Sequence, residues 1–98
     1  MKTVRFHSDA ESEMIEAAEW YESKQNDLGK RFLESVRSLI HQIQINPAIY
    51  KTVHKDIRLG KTLIFPYGVI YRETNDFIEV IAVMHLKRKP GYLKSRTV

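Results

Sequence analysis

Two apolar runs around a polar corner limit this chain more than any other feature. The first spans Leu59 to Arg72 and the second Phe77 to Leu86, with Glu73-Thr74-Asn75-Asp76 between them. β-Branched and aromatic residues on both sides of such a corner predict a β-hairpin. Apart from Glu79 and His85, the second run is apolar on both faces, as in a strand buried from two sides. It leads straight into Lys87-Arg88-Lys89, then Pro90-Gly91-Tyr92. The central strand therefore delivers cations and a phenol to one end of the sheet.

The layer that covers the sheet is expected from the first half of the chain. Thr3 to Phe6 is a short candidate strand. Ser8-Asp9-Ala10-Glu11 has the form of a capping box. Behind it, Ala10, Met14, Ala17, Ala18 and Tyr21 recur at helical spacing. Trp20 falls beside this stripe, and the Glu residues form a solvated face. Asn26 to Gly29 breaks the first helix, with Asp27 as the expected cap of the second. Leu28, Phe32, Val36, Leu39 and Ile43 form the second stripe, widened by Leu33 and Ile40. Asn46-Pro47 stops it, because proline disfavours helical geometry in the preceding residue.

Pro47 to Asp56 is a connector with Tyr50, Val53 and Ile57 as apolar anchors. Strands are expected over Ile57 to Phe65 with a bend at Gly60, over Tyr67 to Glu73, and over Phe77 to Leu86. Regular structure is expected to end at Pro90-Gly91, leaving a basic tail. The fold class is thus α+β, in the order β-α-α-β-β-β: an antiparallel sheet with a two-helix hairpin on one face. Residues 1–98 are expected to form one domain.

Charge is divided between the halves. Residues 1–49 hold six Lys/Arg against eight Asp/Glu, and residues 50–98 hold ten against four. A basic strand half suits a phosphate polyanion or an acidic protein partner. The absence of cysteine excludes disulfides and cysteine metal sites, and fits a cytoplasmic protein. No apolar run reaches membrane-spanning length, and no signal-peptide pattern opens the chain. The four histidines do not form a metal motif, and nothing resembles a phosphate loop or a serine elbow. No metal or cofactor is expected.

The remaining chemistry is basic and aromatic. Arg58, Arg72, His85, Arg88 and Tyr92 lie on or just beyond the strands. Gathered in one concavity, they have the parts for metal-free RNA cleavage: a base, an acid and cations for the phosphorane charge. Lys51, Lys55, Lys61, Lys87 and Lys89 form a basic surface for a partner or nucleic acid. The competing expectation is structural, with Arg72 paired to Glu73 or Glu79 and His85 a hydrogen-bonded strand end.

Several stretches together resemble the RelE/ParE superfamily of toxins from bacterial type II toxin–antitoxin modules. They are Phe6 to Glu11, Ala17 to Glu22, Leu28 to Phe32, Asn46-Pro47, Phe65 to Arg72, and Val83 to Tyr92. The resemblance implies a growth-inhibiting toxin neutralised by a cognate antitoxin, in a higher-order complex of the two. An antitoxin segment folding onto the helical hairpin would meet Trp20, Leu28 and Phe32. One branch of the superfamily cleaves mRNA on the ribosome, which would make Arg58, Arg72, His85, Arg88 and Tyr92 catalytic. The other, the ParE or plasmid-stabilisation branch, inhibits DNA gyrase and is not known as a nuclease. The Phe65-Pro66-Tyr67 start and the ending from His85 to Tyr92 favour the ParE branch, so whether the chain is an enzyme stays open.

Overall fold

The doubly buried run is β5 (Phe77–His85), the second strand in the sheet order β1-β5-β4-β3-β2. The other strands are β1 (Thr3–Phe6), β2 (Thr52–His54), β3 (Ile57–Lys61) and β4 (Tyr67–Glu73). This computed structural model describes residues 1–88 and 90–96. Helices α1 (Ser8–Lys24) and α2 (Leu28–Ile45) form the expected hairpin on one face. Both stripes point inward. Ala10, Ala17 and Ala18 are buried from α1, and Phe32, Val36, Leu39 and Ile43 from α2.

The sheet departs from the expected one in three ways. It gains a three-residue edge strand, β2, in the connector, and β1 pairs parallel to β5 rather than antiparallel. A parallel pair needs a long crossover connection, and the helical hairpin with the strands after it supplies one between β1 and β5. The third strand is also shorter than expected, since β3 ends at Lys61 and Thr62 to Pro66 is a loop. Val53 is exposed rather than anchoring the connector.

β5 earns its two-sided apolar character. Ile78, Val80 and Val83 pack under the helices, while Ile81, Ala82 and Met84 face the opposite side. A bulge makes this division possible. Ile70 pairs with Ala82 and Tyr71 with Val80, so Ile81 has no partner of its own on β4. The second face is closed in part by a 3-10 segment at Pro90–Arg96, where a structureless tail was expected. Its Leu93 is buried against Ile57, Ile70 and Met84.

Helix ends also differ in detail. The cap of α1 is His7, whose Nδ1 accepts the Asp9 N–H at 3.1 Å, in place of Ser8. Asp27 stands at the cap position of α2, in the left-handed region at φ 69°, but its side chain makes no capping bond. Glu22 does that work from α1. Its two carboxylate oxygens accept the N–H groups of Asp27 at 3.0 Å and Gly29 at 3.1 Å. Gly29 permits the helices to close. A Cβ there would stand 2.4 Å from the Ala18 carbonyl oxygen, a backbone atom that cannot swing aside.

Candidate functional site

Strand register divides the expected site residues between the two faces of the sheet. Arg58 on β3 stands opposite Tyr71 on β4, and Tyr71 lies under the helices. The Arg58 guanidinium donates to the carbonyls of Tyr50 at 2.6 Å and Ala48 at 3.3 Å. The Tyr71 hydroxyl donates to the Pro47 carbonyl at 2.7 Å. Together these two side chains fasten the connector that leaves α2.

Arg72 follows Tyr71 and so points to the other face. There it meets Glu79, its register partner on β5, with Nε 2.9 Å from Oε1. About a quarter of each side chain is exposed, so this is a half-buried cross-strand pair. His85 stands opposite Tyr67, five residues from Arg72 along β4, or roughly 17 Å. Its ring lies 5.3 Å from that of Tyr67, and its Nδ1 accepts the Lys87 N–H at 3.1 Å. Arg58, Arg72 and His85 do not converge.

A second grouping does form. His85 and Arg88 line a groove of about 570 Å³ between α1 and the last turn of β5. Its walls include Glu16, Trp20, Tyr21 and Tyr67. Arg88 lies over the ring of Tyr92, with Cζ 3.6 Å from the centroid, and Arg96 approaches within 5.0 Å. Arg88 also reaches Glu13 at 3.8 Å. The Tyr92 hydroxyl is buried without a well-formed hydrogen bond among the described residues. Burial first, and then the Glu13 carboxylate, raise its pKa above the ordinary phenol value, and the two arginines oppose them.

Of the residues expected to meet an antitoxin, only Trp20 presents a broad surface. It is 57% exposed, with the Lys24 ammonium 5.1 Å over its ring. Leu28 is half-buried, and Phe32 is wholly inside the core. Lys51, Lys55, Lys61 and Lys87 are all exposed, whereas Lys89 lies outside the described residues. Among the described residues, no group of three His, Cys, Asp or Glu side chains is placed to hold a metal ion. No helix among them is long and apolar enough to cross a membrane.

Sequence reasoning missed Glu13, which stands beneath Arg88 and Arg96, and the exposed pair Leu63 and Ile64. Glu13 belongs to a helix whose run of Glu is expected to form a solvated face. Leu63 and Ile64 had looked like strand.

The tyrosines give the fold an alkaline limit. Tyr21, Tyr67, Tyr71 and Tyr92 all have pKa values raised above 10.0, with burial the largest cause in each. A phenol whose folded pKa is raised contributes stability in full below the unfolded value. That contribution is lost as pH rises through the folded value. Urea midpoints are therefore expected to hold level up to about pH 9 and to fall from about pH 10 upward. A Tyr67→Phe variant should show a shallower fall.

The sequence profile of the family described as ParE toxin of type II toxin–antitoxin system, parDE, matches residues 4–90. This chain belongs to that family. A solved structure titled "Chromosomal ParDE TA system from P. aeruginosa" has the same fold as this ParE-family chain, with a TM-score of 0.62. The alignment covers 87% of this chain and 96% of that one, at 11% identity, so the likeness concerns the fold alone. A search of curated proteins finds no match. Within the ParE family, then, this chain has its sheet arginines engaged on opposite faces and one aromatic groove beside α1.

Proposed function

We propose that this ParE-family chain arrests growth by binding DNA gyrase, without cleaving nucleic acid, and that a cognate antitoxin neutralises it. The observation that carries the proposal is the separation of Arg58 from Arg72. Phosphoryl-transfer chemistry needs cations already aimed at one developing charge. Here one guanidinium is committed to two carbonyls and the other to Glu79, across the sheet from each other. Family membership supports the toxin role. The exposed Trp20 and its groove supply a surface for the antitoxin, whose flexible segment folds as it binds.

Purified toxin titrated into a gyrase supercoiling assay is expected to abolish supercoiling or to accumulate cleaved DNA, while translated mRNA stays intact. Arg72→Ala should still inhibit. The opposite result is unaffected gyrase with mRNA cut at ribosomes, lost in Arg72→Ala and His85→Ala. It would make the chain an endoribonuclease.

A further inference from the structure

The loop from Thr62 to Pro66 turns two large aliphatic side chains into solvent. Leu63 is 98% exposed and Ile64 is 73% exposed. The surrounding residues hold them there. Thr62 is buried, and its hydroxyl donates to the Phe65 carbonyl at 2.8 Å, with the Tyr67 carbonyl 3.1 Å away. The Thr62 N–H also donates to Tyr67 at 3.0 Å. Phe65 is buried against Phe32 and Tyr21, with ring centroids 5.3 and 4.8 Å away. A loop pinned at both ends loses little freedom when another surface closes over it.

The surface around this pair is continuous. A groove of about 610 Å³ separates the loop from α2, and one of about 420 Å³ runs over the edge formed by β2 and β3. They share Tyr50 and Lys61. Ile49 and Val53, each 54% exposed, extend the apolar surface along the second groove. Patches of this kind, rimmed by polar groups, mark interaction sites. Three cations border it, Arg31, Lys51 and Lys61, against one carboxylate, Glu34.

We infer that this face docks the toxin's target protein, taking an aliphatic ridge flanked by carboxylates, with Leu63 and Ile64 as the anchors. The inference rests on the gyrase reading and names the surface it uses. Charge decides against a second copy of this chain, because a twofold pairing would set a face of three cations and one carboxylate against another of the same sign. Leucine and isoleucine offer no stacking face to single-stranded nucleic acid. A bilayer would not fill a groove walled by Ser35, Ser38 and Gln42, whereas a shaped protein ridge can bond to them.

The test is gyrase inhibition by the Leu63→Ser/Ile64→Ser double variant and by Lys51→Glu/Lys61→Glu. The aliphatic variant is expected to need roughly 100-fold more toxin for half-inhibition, since anchors of this kind dominate an interface. The charge-reversed variant should lose about 10-fold, with a weaker salt dependence. Both should melt with the wild type, because the altered side chains stand in solvent. Ile15→Ser, which removes a 47% exposed aliphatic on α1, away from this face, should inhibit like the wild type.

Undiminished inhibition by the aliphatic variant overturns the inference. So does a variant that still inhibits gyrase but escapes its antitoxin, or one that loses only binding to anionic phosphatidylserine vesicles. If the wild type leaves gyrase untouched, the gyrase reading itself fails. Growth arrest then decides the surface: its loss in the aliphatic variant upholds a target-docking face, and its persistence removes one.

Discussion

Glu13→Ala is expected to lower stability by about 3–5 kcal/mol and to release the C-terminal segment, because it leaves a mostly buried guanidinium with the exposed Asp9 carboxylate, 3.6 Å away, as its remaining ion-pair partner. β1 pairs with β5 only as far as Val80, and no strand among the described residues flanks the edge of β5 beyond it. Two side chains take that place. Glu13 Oε1 accepts the Val83 N–H at 3.2 Å, and Arg96 donates to the Ile81 carbonyl at 3.2 Å. They are joined to each other by paired bonds of 2.9 and 3.1 Å. The Arg96 side chain is 11% exposed and that of Glu13 16%, so water reaches either charge only in part. The hydrogen bond to Glu13 holds the Arg96 pKa above its usual value.

Urea unfolding measures the loss, and hydrogen exchange at the Val83 amide reports the opened edge. A Glu13→Leu/Arg96→Met double variant should recover only part of the deficit: removing both charges spares the unpaired one, but the Val83 N–H and Ile81 carbonyl lose their partners. A loss below about 1 kcal/mol in the single variant would mean that the pair behaves as an exposed one.

That interaction also marks where the sequence stops being informative. Glu13 and Arg96 lie 83 residues apart, and no local pattern links them. The helices were legible because Phe32, Val36, Leu39 and Ile43 repeat at a spacing only a helix turns into one face. The hairpin of β4 and β5 was legible for the corresponding reason in strands. Face and register were less so. Alternation along β4 separates Tyr71 from Arg72, but the side of the sheet that Arg58 occupies depends on its pairing with Tyr71. The bulge at Ile81 shifts every later β5 side chain by one step, which no single-strand pattern announces. Leu63 and Ile64 continued the apolar run from Leu59. Only the buried Thr62 and Phe65 on either side of them reveal a loop that turns outward.

Phe32→Ala is the other substitution expected to cost about 3–5 kcal/mol, a large share of what a domain of this size has. Phe32 is fully buried, and its ring meets those of Tyr21, Phe65 and Tyr67 at 5.2, 5.3 and 5.0 Å. Truncation removes one member of this cluster and leaves a cavity under α1, α2 and the Thr62–Pro66 loop at once. Those three elements are tied by helix bonds and by Thr62, so they collapse only partly into the space. The same variant separates core from contact surface in the helical hairpin. Trp20→Ala should change the urea midpoint little, because Trp20 is mostly in solvent, yet weaken antitoxin binding by about 10-fold or more. Phe32→Ala should do the reverse, with antitoxin affinity near wild type wherever the protein remains folded. If the two variants affected stability alike, the hairpin would be packed quite differently from the arrangement of these rings.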